Sequence, residues 1–187
     1  MKGYSVKYKL IALLSCSIIS AQATTTNSNT QFYIDGSVGY ASVANWNSAS
    51  TALNMNAGYN FNPNFALEAG YTYLMPQTNY NSGFFYTANQ SWTDFAAKGS
   101  IRISPIANLY VKGGIAAGFS SSSIAVPNLS YATGKNETNI ALLSGMGLTL
   151  SPIESLKFKA EAYGIMPFSS TAYGSVNVFS IGAEYSF

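Results

Sequence analysis

The chain has 187 residues, of which 48% are hydrophobic and 9% are charged, with nine basic and seven acidic side chains. This is one domain's worth of chain, and its mean hydropathy of +0.12 is apolar for a secreted soluble domain. It has no histidine and a single cysteine, which excludes histidine-dependent acid–base catalysis, an internal disulfide and Cys/His metal sites. We therefore expect no cofactor, no metal ion and no catalytic residue.

The N-terminus predicts a cleaved secretory signal peptide over residues 1–23. Three lysines precede an apolar run over residues 10–19, and Ala21-Gln22-Ala23 forms a small-residue processing site. We expect a short linker over residues 24–30 and one folded domain over residues 31–187. Without the signal lysines, six basic residues face seven acidic ones, so nothing indicates nucleic-acid binding.

The C-terminal segment alternates strictly between two kinds of residue. One parity carries Phe179, Ile181, Ala183, Tyr185 and Phe187, and the other carries Ser180, Gly182, Glu184 and Ser186. Successive side chains of a strand point to opposite faces, so this strand has an apolar face and a polar one. The same alternation recurs over residues 51–61. A polar second face cannot form the dry core of a soluble sandwich, whereas a closed barrel in lipid places apolar residues outside and polar residues inside.

Eight such segments predict an all-β, eight-stranded, antiparallel up-and-down transmembrane β-barrel. They span residues 31–43, 51–61, 64–75, 91–103, 108–120, 136–150, 155–168 and 174–187. Short connections at residues 62–64, 104–108 and 151–155 alternate with polar loops at residues 44–50, 76–90, 121–135 and 169–173. Short turns at one end and longer loops at the other are typical of outer-membrane barrels. Trp92 departs from the alternation of its strand, which predicts a bulge or an early loop.

The strand count, the turn asymmetry and the closing segment 179–187 resemble those of the small eight-stranded outer-membrane barrels. These include the transmembrane domain of outer membrane protein A and the OmpX/Ail-like and Opa-like proteins. The resemblance implies an integral, monomeric protein of a Gram-negative outer membrane, in contact with lipid and lipopolysaccharide. It also implies that the alternating apolar residues form a signal for the barrel assembly machinery: Phe179, Ile181, Tyr185 and Phe187.

Charged residues of the inward parity are expected to gather in the half of the bore nearest the short turns. They are Asp35, Glu68, Lys98, Arg102, Lys112, Lys159, Glu161 and Glu184, four of each sign. The favoured interpretation is a salt-bridged core that closes the bore, because an eight-stranded barrel has room only for side chains. The alternatives are a gate in a narrow channel and a catalytic use of the carboxylates, for which Asp94 and Glu137 are the acidic candidates at the outer rim.

The predicted function is a non-enzymatic outer-membrane scaffold whose surface loops mediate adhesion or another binding role. Binding candidates are the aromatic and apolar residues of the second and third loops, namely Tyr80, Phe84, Phe85, Tyr86, Leu129 and Tyr131. These segments could equally extend the barrel as hairpins above the membrane. The rival function is a narrow porin-like channel for small solutes, as in OmpW-like barrels.

Overall fold

A computed structural model describes residues 31–44, 49–81, 84–126, 129–153, 155–169 and 174–187. Within these ranges, side chains are described except at residues 77–86, 88 and 122–135. The predicted signal peptide and linker lie outside the described residues.

The chain forms a closed, antiparallel barrel of eight strands, which confirms the predicted fold class. Each strand pairs with its neighbours in sequence, and β8 pairs with β1 to close the sheet. The strands are β1 Phe32–Val43, β2 Ala49–Asn62, β3 Phe65–Asn81, β4 Phe84–Ser104, β5 Ala107–Val126, β6 Leu129–Ile153, β7 Leu156–Pro167 and β8 Val176–Ser186.

Closure satisfies the backbone in a medium that offers no hydrogen bonds of its own. At the end of the last strand, the Phe187 amide donates to the Phe32 carbonyl over 2.8 Å. The alternation found in the sequence sets which side chains meet lipid. On β8, the outward-facing Phe179 and Ile181 are 64% and 67% exposed, whereas the inward-facing Glu184 is 2% exposed. None of the described residues belongs to a helix long and apolar enough to cross a membrane.

Aromatic side chains are exposed at both ends of the outer surface. At the short-turn end, the rings of Phe32, Tyr59 and Phe61 follow one another in edge-to-face contact. At the opposite end, Tyr40 and Phe119 are about half exposed. Such rims suit the two interfaces of a bilayer.

Two of the predicted loops are strands instead. The segments 76–90 and 121–135 continue the β3–β4 and β5–β6 ladders, with pairs out to Asn81 and Phe84 and to Val126 and Leu129. Of the two alternatives that the sequence left open, the backbone adopts the extended hairpin. The binding candidates Tyr80, Phe84, Phe85, Tyr86, Leu129 and Tyr131 lie on these hairpins, and their side chains lie outside the described part of the chain.

The barrel interior is not uniformly polar, which corrects the sequence-based prediction. An apolar cluster lies in the half of the bore nearest the hairpins, and its members are Ala41, Val43, Ala52, Leu74, Trp92, Ala96, Ala116, Ala141, Leu143, Tyr163, Ile165, Val176 and Val178. The predicted irregularity at Trp92 is wrong, because β4 keeps its register there and Trp92 points inward, 1% exposed. It keeps the strand's alternation and departs only from the expected polarity.

Trp92 fits because the strand beside it carries a glycine at the matching position. Trp92 pairs with Gly118 of β5, and a Cβ on Gly118 would collide with the indole ring. A glycine in a strand interior commonly marks such a close approach. The absence of a side chain at position 118 therefore lets the indole lie against β5 inside the barrel.

Candidate functional site

Charged side chains fill the half of the bore nearest the short turns. Their ion pairs form one continuous chain in which acids and bases alternate. In order, it runs Asp35–Lys159–Glu161–Lys112–Glu68–Lys98–Glu184–Lys157, with N–O separations of 2.6, 3.4, 2.5, 4.0, 2.9, 3.3 and 2.5 Å. We call these eight residues the charge network. Except for Lys157, each has a side chain no more than 7% exposed.

The sheet register brings these residues together from six strands. Lys98 and Lys112 are direct partners across β4 and β5, a like-charge pair that would repel if it stood alone. Glu68 reaches both ammonium groups, at 2.9 and 4.0 Å. Its carboxylate therefore offsets the repulsion between the two lysines, and Glu161 and Glu184 extend the alternation on either side.

Two tyrosines complete the network's hydrogen bonds. The Tyr33 hydroxyl donates to Glu68 Oε1 over 2.7 Å, and the Tyr110 hydroxyl donates to Glu161 Oε2 over 2.6 Å. Lys98 Nζ lies 4.7 Å from the centre of each of the two rings, within the range of a cation–π interaction. Neither tyrosine was among the residues predicted for the bore, because that prediction considered only charged side chains. The alternation of residues could have identified both tyrosines, because each lies at an inward-facing position of its strand.

The structure corrects one member of the predicted cluster and adds another. Arg102 is exposed, and none of the ion pairs in the charge network includes it. It lies four residues beyond Lys98, a rise of about 13 Å along the strand, which places it at the mouth. Lys157 occupies the expected place of the fourth base, since it pairs in register with Glu184 and contacts its carboxylate at 2.5 Å. The other seven predicted cluster residues do come together.

A layer of polar side chains lies between the charge network and the apolar cluster. The Tyr163 and Thr72 hydroxyls are 3.0 Å apart, and Asn54 donates to Thr72 Oγ1 over 2.9 Å. Asn56 donates to Asn54 Oδ1 over 2.6 Å and to Asp35 Oδ1 over 2.8 Å. This layer links the hydroxyl pair to the network below it.

The sequence predicted Asp94 at the outer rim, and this is wrong. Asp94 lies in the same layer inside the bore. It is 8% exposed, inside the bore, and its Oδ2 atom has no hydrogen-bond partner among the described residues. Glu137, the other rim candidate, is half-buried and pairs in register with Ser120 on β5.

The chemistry open to the interior is that of paired charges. The four acids of the charge network face four lysines, so the network as a whole is neutral. Buried charges are tolerated when they are paired and hydrogen-bonded. Among the described residues, no group of three or more acidic or cysteine side chains is arranged to hold a metal ion.

Comparison with known proteins places the chain among membrane barrels. Residues 11–187 match the family model described as outer membrane protein beta-barrel domain. None of the curated proteins compared with the sequence matches it.

Solved structures of the same architecture come from several bacteria. The attachment invasion locus protein Ail of Yersinia pestis is 16% identical, with 84% of this chain and 97% of that chain covered and a TM-score of 0.56. Neisserial surface protein A is 14% identical, with 86% and 98% covered and a TM-score of 0.59. The outer membrane protein OprG of Pseudomonas aeruginosa is 11% identical, with 84% and 96% covered and a TM-score of 0.54. At these identities the likeness is one of fold.

Proposed function

Because this chain belongs to the outer membrane protein β-barrel family, we propose that it is a non-enzymatic scaffold of the Gram-negative outer membrane. In this proposal the bore is closed by its own side chains, and the two long hairpins carry the binding activity. The protein acts as a monomer surrounded by lipid and lipopolysaccharide.

The charge network is the main observation that supports a closed bore. Its ion pairs link side chains from six strands, so the network extends across the lumen rather than lining it. A selective pore would usually present a ring of one sign, whereas here the signs alternate. The apolar cluster supports the same conclusion, because water is poorly accommodated among Trp92, Leu143 and Ile165.

The hairpins support a binding role outside the membrane. β3, β4, β5 and β6 are the four longest strands, and the far ends of the β3–β4 and β5–β6 hairpins extend well past the interior layers of the bore. Binding residues on rigid barrels usually lie on such extensions. A structural neighbour, Ail, has been solved with the heparin analogue sucrose octasulfate, so a sulfated glycan is the first ligand to test.

Shortening the hairpins tests this role directly. A variant that joins Leu74 to Gln90 and Ser121 to Asn136 by tight turns keeps every register pair below those points. Bacteria that display the native chain are expected to adhere to heparin-coated surfaces and to cultured epithelial cells, and those that display the short form are not. Variants with one hairpin shortened identify which hairpin binds. Equal adherence of native and doubly shortened chains, at equal surface levels, would contradict the binding role.

The C-terminal strand supports recognition by the barrel assembly machinery. Phe179, Ile181, Tyr185 and Phe187 are all exposed on the outer face, and the Tyr185 and Phe187 rings are in edge-to-face contact at 5.1 Å. Deleting Phe187 is expected to reduce the amount of barrel in the outer membrane several-fold and to leave chain in the periplasm. The matched control is Asn177→Ser, near the other end of β8. Equal outer-membrane levels of the truncated and native chains would refute the assembly role.

The rival function is a narrow channel for small solutes. OprG has the same architecture, and a channel would require both the charge network and the apolar cluster to rearrange. Liposome swelling separates the two functions, because a closed barrel admits neither small sugars nor amino acids and a channel admits at least one class.

A further inference from the structure

Asp94 and Asn56 face each other across a glycine in the middle of the bore. Gly70 on β3 pairs in register with Asn56 on β2 and with Asp94 on β4, so the three residues lie at one level of the barrel. With no side chain at position 70, the two polar side chains lean together. Both Asp94 carboxylate oxygens would lie within 2.7 Å of a Cβ on Gly70, and Asn56 Oδ1 would lie closer still. The Asn56 oxygen and the two Asp94 oxygens therefore converge on the space that a side chain at position 70 would occupy.

The atoms that meet there are acceptors without a donor. Asp94 Oδ2 and Asn56 Oδ1 are both buried and have no hydrogen-bond partner among the described residues. The two side chains are 8% and 4% exposed, so bulk water does not supply the missing hydrogen. An unpaired buried polar group carries a penalty of about 1 to 3 kcal/mol, and a charged one carries more.

Rotating the Asn56 amide does not solve the problem. Its Nδ2 group already donates to Asp35 Oδ1 and to Asn54 Oδ1. Reversing the amide would turn its oxygen toward the Asp35 carboxylate, which also accepts from Lys159. The reversed Asn56 oxygen would then face two other acceptor oxygens, Asp35 Oδ1 and Asn54 Oδ1, and would still lack a donor.

The charges lead to the same conclusion. Four acids and four lysines of the charge network balance each other, and the described ion pairs leave Asp94 as the surplus acid of the bore. The interior therefore lacks one unit of positive charge at the point where two oxygen acceptors converge. Buried charges in proteins are paired or bind cations.

We propose that Asp94 and Asn56 form a binding site for one monovalent cation, held between a carboxylate oxygen and an amide oxygen above Gly70. This goes beyond the scaffold function and is independent of what the hairpins bind. A proton and an alkali metal ion share the required chemistry, since each supplies a single positive charge to oxygen. The single carboxylate neutralises one positive charge, so a divalent ion bound there would keep an uncompensated buried charge.

The test measures urea unfolding of the refolded, detergent-solubilised chain in sodium chloride and in N-methylglucamine chloride of equal ionic strength. Sodium that binds only the folded barrel shifts the midpoint to higher urea. Infrared spectra at neutral pH supply the second arm, because a retained proton gives a carboxylic-acid band. Either signal is expected in the native chain and is expected to be lost in Asp94→Asn. A sodium shift identifies the alkali ion, and the acid band identifies the proton.

Two variants keep the test decisive. Asp94→Asn supplies an amide N–H group to Asn56 Oδ1 and removes the surplus charge, so its midpoint is expected at or above that of the native chain. Asp35→Asn, the matched change at a carboxylate that contacts Lys159 at 2.6 Å, is expected to lower it. If Asp94→Asn does not fold, Gly70→Ala is expected to remove the sodium shift without a charge change, because its Cβ would occupy the space between the oxygens. A native chain with neither sodium dependence nor an acid band, or with signals that persist in Asp94→Asn, would overturn the proposal.

Discussion

Replacing Lys98 with methionine is expected to destabilise the folded barrel by about 3 to 5 kcal/mol, because it breaks a buried ion pair from one side. Lys98 is the base shared by Glu68 and Glu184, at 2.9 and 3.3 Å. Its loss leaves Glu68 with only Lys112, 4.0 Å away, as a basic partner. Methionine keeps an apolar chain of similar length, so the change isolates the charge. Urea unfolding and refolding in detergent micelles measures the difference.

The control lies on the same strand. Arg102→Gln also removes one positive charge from β4, but Arg102 is exposed and outside the charge network. Its effect is expected to stay within about 0.5 kcal/mol, as for most surface substitutions. If Lys98→Met costs no more than Arg102→Gln, the network does not hold the barrel together.

Trp92→Ala is expected to cost about 3 to 5 kcal/mol, the usual range for removing a large buried aromatic side chain. Trp92 is 1% exposed and is a member of the apolar cluster, and Gly118 opposite it carries no side chain that could fill the space. The cavity therefore persists in the variant. The same unfolding measurement gives the value.

Two further variants separate cavity formation from loss of the indole. Trp92→Phe is expected to cost less than half as much, because it keeps most of the ring and removes an N–H group that has no acceptor among the described residues. Phe95→Ala alters the lipid-facing side of the same strand, where Phe95 is 53% exposed, and leaves no internal cavity. A Trp92→Ala loss no larger than that of Phe95→Ala would contradict the role of the apolar cluster.

The strict alternation of residues explains why the fold was predictable. The odd or even position of a residue in its strand assigns its side chain to lipid or to the bore. A register shift of one residue would exchange the two faces of the strand. Asp35, Glu68, Lys112 and Glu161 were placed correctly because they lie deep within their strands, where parity alone decides.

Depth along the bore is what the sequence could not supply. Arg102 and Lys157 both have inward parity near a short turn, and only the inter-strand register distinguishes them. Lys157 is level with Glu184, whereas Arg102 lies level with Asn108 at the start of β5. Trp92 was misjudged for a related reason: the space for an inward indole comes from Gly118, on another strand.

The sequence left open whether the segments 76–90 and 121–135 form loops or extended hairpins. Ser-, Asn- and Thr-rich segments are typical of loops, but an antiparallel ladder outside the membrane needs no apolar face to pair its backbone. β5 and β6 therefore keep their register through Ser120, Ser121 and Ser122.

Single-channel recording on the native chain, refolded into a planar lipid bilayer, tests the closed bore most directly. With the charge network and the apolar cluster intact, the barrel is expected to be electrically silent over a wide range of voltage. Openings are expected only when both layers are disrupted, as in the double variant Lys98→Met/Trp92→Ala. Frequent, steady openings of the native chain, unchanged in that double variant, would contradict the closed bore and establish the channel instead.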